Sequence, residues 1–286
     1  MDSNWSRREF LGMGAAALAA AWHPAALLST SASPTVARQP LIRSMRLRTS
    51  APLDLMRDFY GSTLGLRTSP VDKGAFTLFT RGTEVSFAGA SSGSKKIHYH
   101  FAFNIPQNQI RQALDWAKSR VALIPAWGNL GDAAYPKEII HFRHWNAKSI
   151  FFFDPAYNLV EFIARHELKN DESGKFSSTS LLCASEIGLP TNSPEATAKT
   201  LHKDLGLLGY PSGTPPQFAM GDANGLLLCL LDSQVWGEHT KTPIRWGRHP
   251  VDLTVSGTSQ RAYTVEGYPY TIKVERHEPG VQAPWY

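Results

Sequence analysis

The sequence predicts an α+β fold built from repeated units, each with several strands and at most one helix. One observation is the hairpin pattern of residues 149–165, in which two apolar runs flank a turn. A second is the alternating segment 97–105, which is followed by apolar residues at helical spacing. Similar patterns then recur along the chain, and internal repetition is itself a fold signal.

The first unit is predicted to cover residues 42–90. It begins with the strand SMRLRTS and continues with a helix that contains Met56 and Tyr60. It ends with the strands FTLFTRG and TEVSFAG.

The second unit, residues 97–165, begins with a strand that carries two histidines. His98 and His100 alternate with apolar residues, so both side chains are predicted to point to the same face. A helix with Ile110 and Leu114 on its apolar side follows.

The hairpin that ends this unit contains an unexpected carboxylate. Asp154 and Pro155 are typical of a turn, and Asn158 tolerates the left-handed backbone conformation. In the strand that follows, Glu161 shares a face with the apolar residues Leu159 and Ile163. A charge on such a face is costly unless it is paired or bound to a metal. Glu161 is therefore a candidate site residue.

The third unit is predicted at residues 180–232 and the fourth at 249–275. The third has a helix start in which Ser193 can cap free amides and Pro194 suits the first helical position. The fourth has strand patterns but no helical segment.

In these motifs the chain resembles the vicinal oxygen chelate (VOC) superfamily, the glyoxalase, bleomycin-resistance and extradiol-dioxygenase group. The segments HFAFNI and FFFDPAYNLVEF are similar to the first and last strands of that group's βαβββ module. The resemblance implies tandem βαβββ modules that form two domains of curved mixed sheets, with the last module truncated. The first domain is expected at 42–165, and a second, degenerate domain at 180–275.

The resemblance also implies that His100 and Glu161 are metal-ligand positions. Catalytic metal sites usually have three protein ligands. Counting back from the helix of the first unit places Met45 at the first-strand position, and Phe87 is taken for the last strand; neither is a normal ligand of a hard metal ion. His98 is a weaker candidate, since it lies one strand repeat from His100.

Glu186 and His249 are further weak candidates, at the first-strand positions of the third and fourth units. If the second and third units pair, His100, Glu161 and Glu186 would form one site. If the third and fourth pair, Glu186 and His249, with Glu275, would form another. The sequence leaves the pairing open.

Two histidines that precede the hairpin are candidates for general acid or base catalysis. Strand alternation directs His141 into the cavity and His144 away from it, and a bulge near Trp145 would exchange the two. A surface location is the alternative for each.

The N-terminal residues 1–37 are predicted to be an export signal and a linker. Arg7 and Arg8, followed by a short apolar stretch and small residues near Ala32, are typical of a twin-arginine signal. The apolar stretch is too short to span a membrane. We therefore expect recognition by the twin-arginine translocase, a periplasmic or extracellular location, and no stable membrane insertion.

The composition gives fewer clues. The formal net charge is +5, but no dense basic run indicates nucleic-acid binding. Cys183 and Cys229 lie in apolar runs and are expected to be buried thiols. If the first and last strands of their module are neighbours, as in the VOC group, a disulfide is the alternative in an oxidising compartment.

Two functions follow from the resemblance. One is an exported metal-dependent enzyme of the glyoxalase or dioxygenase type, which uses iron, manganese, nickel or zinc to act on a small oxygen-rich molecule. The other is a metal-free protein that binds and sequesters a small molecule, as the bleomycin-resistance branch does. A homodimer is compatible with both.

Overall fold

A computed structural model describes residues 42–90, 96–127, 130–210, 218–236, 244–257 and 260–276. The predicted signal and linker, residues 1–37, lie outside this described part. Within it, no helix is long and apolar enough to cross a membrane.

The first two units have the predicted order of strands and helices. Helix α1 continues directly into a π-helical turn, Phe59–Thr63, and a short 3₁₀ turn, Arg143–Trp145, precedes β8. The elements are β1 (Ile42–Thr49), α1 (Leu53–Asp58), β2 (Arg67–Thr68), β3 (Ala75–Phe79), β4 (Glu84–Gly89), β5 (His100–Ile105), α2 (Ile110–Lys118), β6 (Leu123–Ile124), β7 (Ile140–Phe142), β8 (Ala147–Phe153) and β9 (Leu159–Arg165).

The third unit contains the last helix of the described residues, and the strands of the fourth follow it. Ser193 is the N-cap residue of this helix and Pro194 its first residue, as predicted, although the Ser193 side chain makes no capping hydrogen bond. The elements are β10 (Cys183–Thr191), α3 (Pro194–Leu205), β11 (Phe218–Asp222), β12 (Gly225–Leu231), β13 (Val235–Trp236), β14 (Ile244–Arg245), β15 (Val251–Gly257), β16 (Arg261–Thr264) and β17 (Tyr270–Arg276).

Strand pairing joins units that are distant in the sequence. A seven-stranded sheet has the order β16-β17-β15-β1-β4-β3-β2, so the first and fourth units share it. An eight-stranded sheet has the order β11-β12-β10-β5-β9-β8-β6, with β7 also paired to β8, so the second and third units share that one. Strands β13 and β14 form a separate pair. Of the two pairings left open by the sequence, the structure has the one that joins β5 to β10.

One face of each sheet packs into the main apolar core. Phe101 and Phe103 of β5 lie in this core, whereas His100 and Ala102 lie on the opposite face, as alternation requires. Met45 and Phe87 also lie in the core. The prediction that Met45 corresponds to His100 is therefore wrong, because a shift of one residue moves a side chain to the other face of a sheet.

The hairpin between β8 and β9 forms as predicted, and its turn is held by buried hydrogen bonds. One oxygen of Asp154 accepts from the backbone N–H groups of Ala156 and Asn158. The other accepts from the Tyr60 hydroxyl at 2.7 Å and from the Asn158 amide at 2.7 Å. The left-handed residue is Tyr157, with φ of 62°, rather than Asn158. The Asn158 side chain instead accepts from the backbone of Tyr99.

Candidate metal centre

Three buried side chains converge on one face of the eight-stranded sheet. Ala102 of β5 pairs with Glu186 of β10 on one side and with Glu161 of β9 on the other, so both carboxylates stand in one row across the sheet. His100 lies two residues before Ala102 on the same face. One ligand atom from each of His100, Glu161 and Glu186 lies within 4.8 Å of the others, and all three residues are buried.

The imidazole of His100 directs one nitrogen at both carboxylates. Its Nδ1 lies 3.1 Å from the carbonyl oxygen of Leu159, to which a protonated Nδ1 donates. In the neutral ring, Nε2 then presents a lone pair. This atom is 3.5 Å from an oxygen of Glu161 and 3.6 Å from an oxygen of Glu186. Both separations exceed the roughly 2.7–3.2 Å of an ordinary N–H···O bond.

These separations fit a shared metal ion. Two ligand atoms that each lie about 2.1 Å from an ion in tetrahedral geometry are about 3.4 Å apart. One oxygen of Glu161, Oε1, is buried and makes no hydrogen bond, so it has a free acceptor. Imidazole and carboxylate together suit iron, manganese, nickel or zinc. The donor set and its spacing are therefore compatible with a divalent cation.

The pKa values show the electrostatic cost of this cluster without an ion. Burial, followed by the charge of Glu186, raises the pKa of Glu161 to about 8, against the opposing effects of His100 and Arg165. Burial alone would lower the pKa of His100, but Glu186 and Glu161 outweigh it and the pKa is raised. At neutral pH the cluster without metal therefore retains protons that a bound cation would displace.

Arg165 and the carbonyl group of Leu159 orient two of the candidate ligands through hydrogen bonds. Arg165, at the end of β9, is fully buried and its Nη2 donates to Oε1 of Glu186. Oε2 of the same carboxylate is then the one that faces His100. Such outer contacts fix the orientation of metal ligands. Sequence reasoning missed Arg165, although the period of two that placed Glu161 with Ile163 extends to it.

The surroundings of the cluster are apolar and aromatic. The rings of Phe151 and Trp246 lie 6.1 Å from that of His100, centroid to centroid. Gly188 has no side chain beside the histidine. A Cβ at this position would lie 3.6 Å from the Cβ of His100 and only 3.0 Å from the Leu230 side chain. The buried members of this apolar cluster are Ile124, Ile140, Phe151, Leu159, Ala219, Leu226, Leu228, Leu230 and Trp246.

The other proposed ligands lie elsewhere. His98 precedes β5, and its Nε2 is 2.9 Å from the carbonyl oxygen of Arg245. His249 packs against the rings of His98 and Tyr99, and burial lowers its pKa to about 4. Glu275 is an exposed residue of β17 in the other sheet. In the described part of the chain, the structure groups none of these three with His100.

One of the two candidate catalytic histidines, His141, differs from the predicted orientation, whereas His144 is exposed, in keeping with its predicted direction away from the cavity. His141 pairs with Lys148, whereas Ile140 and Phe142 on either side of it belong to the apolar cluster around the centre. His141 therefore points to the opposite face, where its Nδ1 lies 2.7 Å from Asp132. The 3₁₀ turn brings His144 beside the rings of Phe142 and Trp145 instead.

The two cysteines are buried free thiols, and burial raises the pKa of each to about 12. Strands β10 and β12 are neighbours, as the resemblance implied, but Cys229 pairs with Leu189, six positions beyond Cys183. The two cysteines are thus roughly 20 Å apart along the sheet. A disulfide requires Cα atoms less than about 7 Å apart, so this alternative is wrong.

Comparison with known proteins shows the fold. No protein-family model and no curated protein matches the chain. A candidate dioxygenase from Bacillus subtilis subsp. subtilis strain 168 has a similar structure, with a TM-score of 0.52 at 16% identity over 85% of this chain and 87% of that one. Glyoxalase I from Zea mays gives a TM-score of 0.46 at 13% identity over 82% and 92%. The two mixed sheets and the similarity to the dioxygenase structure therefore confirm the predicted α+β fold with tandem modules.

Proposed function

We propose that this protein is an exported, metal-dependent enzyme of the VOC superfamily, of the glyoxalase or dioxygenase type, that acts on a small oxygen-rich molecule. His100, Glu161 and Glu186 would hold one divalent cation. The observation that carries the proposal is the convergence of three buried ligand atoms within 4.8 Å, at separations that suit a shared ion.

The chemistry follows from the ligands and their surroundings. When bound, a divalent ion supplies a Lewis acid that polarises substrate oxygens. The Leu159 carbonyl orients the imidazole of His100, and Arg165 orients the carboxylate of Glu186. The apolar cluster around Trp246 excludes water, which strengthens the electrostatic interactions inside the centre.

The test of the metal proposal is the metal content of the protein. The full chain would be purified from a bacterial host with twin-arginine export and analysed for transition metals, beside the variants His100→Ala, Glu161→Gln and Glu186→Gln. We expect about one equivalent in the parent and less than about a tenth in each variant. The exposed residues Glu84 and His202 provide matched controls, and Glu84→Gln and His202→Ala should retain the metal. A parent protein without metal would refute the proposal.

Export is proposed from the N-terminal segment, which has an arginine pair, a short apolar stretch and small residues near Ala32. Replacement of Arg7 and Arg8 together by lysine should retain the protein in the cytoplasm, as fractionation and immunoblotting would show. Unchanged export of this double variant would contradict the twin-arginine route.

The second candidate is a metal-free small-molecule binding protein. The contact that favours it is the ion pair of Arg165 with Glu186, which balances one carboxylate without a metal. A protonated His100 would then balance Glu161, and the cluster would be neutral. Under this alternative, the parent protein has no metal and the His100→Ala and Glu161→Gln variants bind ligand unchanged.

A further inference from the structure

Arg165 has more hydrogen-bonding capacity than the structure uses. Its side chain is fully buried, and Nη2 donates to Glu186. Its other donor atoms, Nε and Nη1, are also buried and make no hydrogen bond. A buried polar group without a partner costs free energy, and more so when it is charged. Such groups call for an explanation, because native structures contain few of them.

The fold directs this side chain towards the candidate metal centre. Arg165 follows Glu161 and Ile163 on the same face of β9, and its contact with Glu186 requires it to reach across β5 to β10. Ala102 on β5 and Ala147 on β8, which pairs with Arg165, have small side chains on this face. The space above them is available for the guanidinium.

Aromatic rings enclose the guanidinium. Its central carbon lies 5.2 Å from the centroid of the Trp145 ring and 5.5 Å from that of Tyr210. The indole Nε1 of Trp145 is a further buried donor without a hydrogen bond. Both rings are partly exposed, so they form the solvent side of this enclosure. Three unused donors, two of them on a cation, thus lie together beside Glu186.

The geometry of a guanidinium defines the ligand that would use these donors. Each planar fork of a guanidinium combines Nη2 with either Nε or Nη1, so one unused donor together with the second N–H of Nη2 matches the two oxygens of a carboxylate. The Glu186 carboxylate lies between the guanidinium and the metal centre. One of its oxygens contacts Arg165 and the other faces His100. The guanidinium and the centre are thus separated by the width of one carboxylate.

We propose that Arg165, with Trp145, forms a subsite for the carboxylate of a small 2-hydroxy or 2-oxo acid. This inference rests on the proposed function, since the oxygen next to the carboxylate would then reach the ion held by His100, Glu161 and Glu186. It goes beyond that function because it specifies an anionic substrate and the residue that selects it.

Titration calorimetry with lactate and lactamide tests the subsite, because the two probes differ in the carboxylate alone. With the metal-loaded protein, lactate should bind at least about tenfold more tightly than lactamide. Arg165→Lys retains a cation beside Glu186 but removes the fork, and it should lower the ratio of lactate affinity to lactamide affinity at least about threefold, whatever change in affinity the two probes share. Trp145→Phe retains the ring but removes the donor, and it should weaken lactate binding alone.

Each other outcome has a defined meaning. Equal binding of the two probes, no binding of either, or a ratio of lactate to lactamide affinity that is unchanged in Arg165→Lys would overturn the subsite. If the purified protein contains no metal, the same titration is made on it directly. A preference for lactate that depends on Arg165 would then support the subsite although the proposed enzyme has failed.

Discussion

Replacement of Glu161 by glutamine should stabilise the metal-free protein while it abolishes metal binding. The pKa of this carboxyl rises from 4.5 to about 8 in the folded protein because of burial and the nearby Glu186. The folded chain therefore binds a proton more tightly than the unfolded chain, and stability falls as the pH rises from about 4.5 to 8. At pH 7 this difference costs about 3 kcal/mol of unfolding free energy. An uncharged amide avoids that cost.

Urea unfolding of EDTA-treated protein at several pH values would measure this effect. Glu161→Gln should be more stable than the parent by about 3 kcal/mol at pH 7, with a flatter dependence on pH. Glu84→Gln replaces an exposed carboxylate of β4 and should change stability by less than about 0.5 kcal/mol. A glutamine variant that is less stable than the parent, or that retains the full pH dependence, would refute the reasoning. Stabilisation by loss of a functional group is common at active sites.

Three further predictions concern the centre and its support. The affinity for zinc, measured against a competing chelator, should rise at least about tenfold per pH unit up to pH 8, because Glu161 must lose its proton and a protonated His100 must lose one as well; a constant affinity would contradict this. Tyr60→Phe removes a donor to the buried Asp154 and should lower the free energy of unfolding by about 1–3 kcal/mol in urea denaturation, and no change would show that the hydrogen bond is dispensable. Thiol titration of denatured, unreduced protein should detect two thiols, and their absence would indicate that Cys183 and Cys229 are oxidised.

Local patterns in the sequence are sufficient to predict most strands and helices and two of the three members of the centre. Alternation placed His100 and Glu161 on one face of their strands, because the two-residue period of a strand does not depend on the rest of the fold. The third member, Glu186, depended on which units pair, and pairing of β5 with β10 is a long-range property. The sequence is compatible with pairing of the second and third units and with pairing of the third and fourth. It gives no physical reason to choose between them.

The residues that the sequence misplaced show where local patterns fail. Met45 was assigned by counting from a helix, and an error of one residue moves a strand side chain to the opposite face. His141 was directed into the cavity, but its pairing with Lys148 sets the opposite orientation. Arg165 was missed because an arginine at a strand end is usually exposed, and only the long reach to Glu186 buries it.

Diffraction recorded at the absorption edge of the bound metal tests the central claim most directly. Crystals of the purified protein should give one anomalous peak between the three side chains, about 2.0–2.2 Å from Nε2 of His100 and from one oxygen each of Glu161 and Glu186. A peak at another position, or protein from metal-replete cells with no peak there, would contradict the assignment of these residues as a metal centre.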